Sequence, residues 1–191
     1  MKALETERLL LRPFTDDDME IQRVVFSDPE VCWHYCRKTR TEQETREWLI
    51  HRRWQAKSED GLGFLAVVRK TDEQILGLVA LQLMVADWLR FEEDAYSPFH
   101  PLAVELSYAF GREYQRQGYA TEACRALIDY GFRQKRLARL TNGIDPVNEP
   151  SWRLCERLGF RKVKNVHPDH AGDVWILDNT VLTVPETRSG N

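Results

Sequence analysis

The sequence predicts an α+β fold of mixed strand order, and three observations carry that reading. Short apolar runs alternate with longer amphipathic stretches, but without the regular strand and helix alternation of a doubly wound sheet. The chain has 191 residues, the size of one ordinary domain. Hydrophobic residues make up 42% of it and charged residues 30%, which supplies a core and argues against disorder. A single domain is expected over residues 1–185, with a frayed tail over 186–191.

The leucine-rich run from Glu7 to Phe14 reads as a first strand that closes at Pro13, which has no N–H for a ladder. Thr15 and Asp18 have capping-box spacing, and the acids at 16, 17, 18 and 20 suit the positive end of a helix over about 16–27. Asp28-Pro29 ends that helix, because the residue before proline is driven from helical geometry. Trp33, His34 and Tyr35 then fall in a connecting segment, ahead of a second helix from Thr41 to about Ser58. Phe64–Arg69 and Ile75–Met84 flank a polar stretch at 70–74 and predict a hairpin. Residues 85–101 read as an irregular acidic loop, and Ala103–Phe110 as the next strand. From Gly118 to about Lys135 the residues Ala120, Ala123, Cys124, Leu127 and Gly131 form the stripe of an amphipathic helix. Arg139–Ile144 is a strand, Ser151–Leu158 a helix ended by Gly159, and two strands close the chain near 160–166 and 173–183.

Charge and composition exclude several functions. The formal net charge is −3 with a pI near 6.0, which argues against direct nucleic-acid binding. No apolar run reaches the roughly 18 residues of a membrane span. The N-terminal apolar stretch is broken by Glu5, Glu7, Arg8 and Arg12, so no signal peptide is read, and four cysteines fit a reduced compartment. A cytoplasmic protein is expected. Cys32, His34 and Cys36 have C-x-H-x-C spacing, but without a second ligand pair no metal is expected. Gly61–Ala66 fits a relaxed dinucleotide fingerprint, yet it precedes a strand instead of following one. His167 and His170 are explained as exposed polar residues.

The informative segment is residues 103–133, where a strand passes through a polar turn into a helix. The N–H groups of a first helical turn lack internal acceptors and sit at the positive end of the dipole, so such a turn receives phosphate. Gly118 admits backbone conformations closed to other residues. Residues 111–139 hold seven Arg and Lys against three acids, in a chain of negative net charge.

Gln115 to Ala120 fits the Q/R-x-x-G-x-G/A pattern and resembles the GNAT superfamily of acyl-CoA N-acyltransferases. The string GYATEA (118–123), the opening TERLLLRPF (6–14), and Asn148 with Ser151 and Leu158 to Phe160 look like its RimJ/RimL branch of ribosomal-protein N-terminal acetyltransferases. The resemblance implies a mostly antiparallel seven-stranded sheet splayed between its fourth and fifth strands, with acetyl-CoA as cosubstrate in the gap. It further implies pantetheine along Tyr108, Ala109 and Phe110, and the diphosphate on Gln115, Arg116, Gln117, Gly118, Tyr119, Ala120 and Thr121. Asn148, Ser151 and Cys155 would lie along the same cofactor, and Trp33, His34 and Tyr35 would face the acceptor.

Acetyl transfer to an amine requires a group that removes a proton, since an alkylamine with pKa of about 10.4 is mostly protonated at neutral pH. Glu105, in the middle of an apolar strand, is the candidate base. The departing thiolate needs a proton. Members of the family often carry a tyrosine seven residues after this asparagine; here that position is Cys155 and no tyrosine lies in 148–160, so the resemblance to the ribosomal-protein branch implies Ser151 as the acid, donating directly or through an ordered water. The acceptor is a protein N-terminus or a small-molecule amine, and the protein a monomer or homodimer. Two other readings stay open: an inactive acyl-CoA-binding regulatory module, and a different nucleotide-phosphate binder.

Overall fold

A computed structural model describes residues 2–58, 61–85, 102–165 and 172–180. Alternating apolar residues build its strands: β1 (Leu4–Glu5), β2 (Leu9–Pro13), β3 (Gly63–Arg69), β4 (Ile75–Val85), β5 (Leu102–Phe110), β6 (Arg139–Asn142), β7 (Arg161–Asn165) and β8 (Gly172–Asp178). They form one sheet in the order β1-β2-β3-β4-β5-β6-β8-β7. Every neighbouring pair is antiparallel except β5–β6. The sheet has eight strands where the sequence predicts seven. The extra one is β1, whose two residues are too few to show a period. The predicted splay accordingly falls between the fifth and sixth strands.

Among the described residues four α-helices flank the sheet: α1 (Pro29–Tyr35), α2 (Glu42–Ser58), α3 (Tyr119–Asp129) and α4 (Glu149–Leu158). Six successive residues of β3, Gly63 to Val68, are buried, so both faces of the sheet are covered there. Trp48 of α2 meets Phe14, Phe26 and Phe64 edge-on, with ring centroids 5.2, 4.9 and 5.5 Å away. On α3, Ala123, Cys124 and Leu127 are fully buried, which is the stripe that the sequence shows.

Two local expectations are corrected. The helix expected over 16–27 is only about seven residues long, running from Glu20 into a π-helical turn at Gln22–Phe26. The reason is Asp18, whose carboxylate accepts the Thr15 N–H at 2.7 Å and both Arg12 terminal nitrogens at 2.8 and 2.7 Å. That clamp holds residues 15–18 in a turn. The segment with Trp33, His34 and Tyr35 is α1 and not a connecting loop. Asp28 caps it, accepting from the N–H groups of Glu30 and Val31, and Pro29 occupies the first turn, where its missing N–H costs nothing. The Asp28-Pro29 pair that ends one helix also starts the next.

The parallel pair matters most for function. β5 and β6 share one registered pair, Glu105 with Thr141, although all four residues of β6 pair with β8; β6 ends at Asn142, short of the Ile144 expected. Beyond that point, toward Phe110, the strands part while β5 stays paired with β4 over its whole length. Gly77 permits the close β4–β5 approach there. A Cβ at residue 77 would stand 2.1 Å from the Ala109 carbonyl oxygen and 2.8 Å from the Phe110 Cα. Parallel strands need a crossover, and α3 supplies it. Its N-terminus thereby lies at the mouth of the gap. No helix among the described residues is long and apolar enough to cross a membrane. The acidic loop at 86–101, His167, His170 and the tail at 186–191 lie outside the described residues.

Candidate active site

The gap between β5 and β6 opens into a cleft of about 1550 Å³. At one end, Gln115, Arg116, Gly118, Tyr119, Ala120 and Thr121 line it. Gly118 is the residue before α3, at φ 82°, with no side chain capping the helix, so the first N–H groups of α3 face the cleft end uncapped. Arg116 also has a positive φ of 60°, which tightens the turn. Arg8 buttresses the turn from β2's side: its Nη1 donates to the Gln117 carbonyl at 3.1 Å, its Nε to Glu122 at 2.7 Å, and its guanidinium lies 4.5 Å over the Tyr119 ring. Thr6 adds a hydroxyl bond to Glu122 at 2.6 Å. The opening TERLLLRPF is therefore joined physically to the GYATEA turn. Gln117 is not part of the lining; its side chain donates back to the Glu113 carbonyl at 2.7 Å.

In the middle of the cleft, Glu105 sits where the strands part. Its carboxylate accepts the Gly143 N–H at 3.4 Å and the Ser107 hydroxyl at 3.2 Å, and Ser107 accepts from the Gln82 amide at 2.7 Å. Burial raises its pKa above the ordinary glutamate value, and those two long neutral bonds offset this only in part. Tyr108, Ala109 and Phe110 continue along the wall, with the Phe110 carbonyl accepting from Gln115 Nε2 at 3.0 Å.

Opposite them stands α4. Asn148 caps it, accepting the Ser151 N–H at 3.3 Å, and both residues line the cleft. The Tyr108 hydroxyl crosses from β5 to Ser151 Oγ at 2.8 Å and lies 3.6 Å from Cys155 Sγ. Cys155 is fully buried behind them, with its thiol pushed up to about 11 by burial, and it also accepts from the Asn142 amide at 3.6 Å. Burial pushes the Tyr108 phenol up as well. A tyrosine of β5 thus reaches Ser151 and Cys155 on α4, a contact no spacing within α4 could reveal.

Residues 8–161 match the acetyltransferase (GNAT) domain family. The chain belongs to that family. A GNAT domain takes its acetyl group from acetyl-CoA, so this chain is an acetyltransferase, and acetyl-CoA is its cosubstrate. The Bacillus subtilis (strain 168) protein YkkB is 30% identical, the match covering 98% of this chain and 96% of YkkB. The ribosomal protein uS5-alanine N-acetyltransferase of Escherichia coli (strain K12) is 32% identical over 99 residues, 48% of this chain and 47% of that protein. The GNAT acetyltransferase structure from Bacillus anthracis superposes with a TM-score of 0.69 at 23% identity, covering 91% of this chain and 95% of that one. This is the GNAT fold.

The other end of the cleft is built by α1, α2 and the strands beneath them. Trp33, His34 and Tyr35 all line it, from a helix tied across the cleft at both ends. Arg112 holds Asp28 at 2.7 Å and Glu30 at 2.6 Å, and Arg37 bridges to Asp145 at 3.1 Å beneath the exposed Trp33. Cys32 points away into the core, toward the carbonyls of Val25 and Phe26, with its thiol pushed up to about 12 chiefly by burial. Cys36 bonds the Lys38 carbonyl, so the C-x-H-x-C residues do not converge. Arg40, Trp48, Arg52, Phe64 and Gln82 complete this end; sequence reading missed them because they lie on α2, β3, β4 and the segment before α2, with no shared motif.

Proposed function

We propose that this acetyltransferase moves the acetyl group from acetyl-CoA directly to a primary amine, with both substrates bound together. The observation that carries the reading is that an uncapped α3 N-terminus and the half-buried Glu105 share one continuous cleft. Bound acetyl-CoA supplies an acetyl thioester, an electrophile with a thiolate leaving group.

The chain's own residues account for the remaining chemistry. The amides around Gly118 and the Arg116 side chain receive the diphosphate, where the helix dipole and a positive charge act on the same anion. The unpaired edge of β5 from Tyr108 to Phe110 offers N–H and C=O groups to the pantetheine amides, as a neighbouring strand would. Glu105 takes a proton from the ammonium, directly or through a water, and its raised pKa brings the base nearer working pH. Ser151 gives a proton to the departing thiolate and recovers one, directly or through water, from the nitrogen of the collapsing adduct, which must lose a second proton to become the amide; Tyr108 fixes the serine hydroxyl from behind. Cys155 takes no covalent part: it is buried, and its raised pKa keeps it a thiol.

Release of free CoA thiol from acetyl-CoA across a library of primary amines, with product masses measured, tests the reading. A dose-dependent release with products about 42 Da heavier, the mass that acetylation adds, is expected. Tight acetyl-CoA binding without release to any amine would leave a regulatory module instead.

A further inference from the structure

The α1 and α2 end of the cleft carries a feature that acetyl transfer does not use. Two arginines stand there on an aromatic floor: the Arg40 guanidinium is 4.9 Å over Phe26, and that of Arg52 is 4.3 Å over Phe64 and 5.5 Å from Trp48. Trp48 packs between those two phenylalanines and makes the floor continuous. Arg40 is held in place by its main chain, whose N–H donates to Phe26 at 2.9 Å and whose carbonyl accepts from Gln22 at 2.7 Å. Its Nε is buried with no hydrogen-bond partner, and among the described residues its guanidinium has no ion pair. The other arginines of the cleft with acidic neighbours are already satisfied, Arg112 by Asp28 and Glu30, and Arg153 by Glu149. A buried guanidinium donor without an acceptor is costly, and a planar fork of donors is the shape that receives a carboxylate.

Resting on the acetyl-transfer reading of this cleft, we propose that the acceptor is an amine that also carries a carboxylate, as an amino acid does, and that Arg40 receives that carboxylate. Tyr35, Arg40 and Glu105 line the same cleft, which puts the cation and the base on one space. A zwitterion then sets its anion on Arg40 and its ammonium toward Glu105. A fixed cation at this end also opposes polyamines, which bring only positive charge.

The test separates binding from turnover. Each of the twenty common amino acids and its carboxamide is titrated calorimetrically into the protein held with free CoA, and the same pairs are assayed with acetyl-CoA. At least one acid binds roughly tenfold or more tighter than its carboxamide, the amount expected for charged hydrogen bonds. In Arg40→Gln the acid-to-amide ratio falls to about unity while CoA binding is retained. Should that variant lose CoA binding, Arg40→Lys keeps the charge without the fork, and the ratio falls part of the way. Equal binding of acids and amides, or a ratio that neither variant moves, overturns the proposal. Acetyl transfer to amines that lack a carboxylate, with acids rejected, overturns it and leaves the acetyl-transfer reading intact. Acid-selective binding with no transfer to any amine supports the carboxylate site and overturns that reading instead.

Discussion

Two carboxylates of this protein are withdrawn from solvent, and the protein treats them in opposite ways. Asp18, at the end of β2, accepts three close hydrogen bonds, two of them from the Arg12 guanidinium. Burial pushes its pKa up, but those bonds outweigh burial and hold it below the ordinary value. Glu105, at the parting of β5 and β6, has only two longer neutral donors, and burial prevails. The first carboxylate is saturated and structural. The second is kept under-satisfied, beside a cleft, where a proton has somewhere to go.

The sharpest way to break the comparison is to remove charge from each. Glu105→Gln keeps the shape and loses the base, so kcat should fall about 10²- to 10³-fold with acetyl-CoA affinity unchanged. In the wild type, kcat/KM should decline as pH drops through a value above the usual glutamate figure of about 4.3, and that limb should vanish in the variant. A limb that persists in Glu105→Gln would assign the proton transfer to another group.

Asp18→Asn should leave the chemistry alone and cost about 2 to 4 kcal/mol of stability, because Arg12 keeps a half-buried charge without its partner. The pH dependences have opposite signs. Asp18 titrates below its unfolded value of about 3.9, so its contribution is complete above that value and drains away as acid drives pH down through the lowered pKa. Glu105 titrates above its unfolded value, so whatever it contributes is present in acid and lost as pH rises through the raised pKa. Chemical denaturation of both variants between pH 3 and 7 separates the two: Asp18→Asn should flatten the acid limb, and Glu105→Gln should be as stable as wild type, or more so, at pH 7.

How much of this was legible beforehand follows from how far apart the contributing residues lie. The strand, turn and helix around Gly118 could be read because the motif they carry is one local string, and GYATEA is contiguous. Glu105 could be read because a lone acid in an apolar strand breaks the pattern of its own element. The α1 helix could not, since one Asp-Pro pair serves as a stop and a start, and only the stop was recognised. Tyr108, Arg40 and Arg52 act across elements: Tyr108 meets Ser151 43 positions away, and no periodicity records such a contact. Gly77 belongs with them, because its need for a missing Cβ comes from Ala109 and Phe110 on the next strand.

Gly118→Ala tests the local string directly. A non-glycine residue at φ 82° costs about 1 to 2 kcal/mol, and the new Cβ would stand 3.3 Å from the Arg8 Nη2, the movable end of a side chain. If the turn relaxes away from its present shape, acetyl-CoA affinity should weaken by roughly tenfold, since each factor of ten is about 1.4 kcal/mol. Calorimetric titration with acetyl-CoA reads that loss, and an unchanged affinity would move the diphosphate elsewhere.

The smallest effect should come from Tyr108→Phe, and its size discriminates between two roles. Tyr108 is half-buried against Ser151 and Cys155, and its phenol is pushed well above the ordinary tyrosine range, so it stays protonated while the enzyme works. As a group that orients Ser151, it is worth one neutral hydrogen bond of about 1 kcal/mol, and kcat should drop roughly fivefold with acetyl-CoA binding intact. As the thiolate's own acid it would cost about 10²-fold or more, and the Ser151→Ala variant would then be nearly as active as wild type. Steady-state rates of the two single variants and the double variant decide the matter. If Tyr108 works only through Ser151, Tyr108→Phe adds nothing once Ser151→Ala is present.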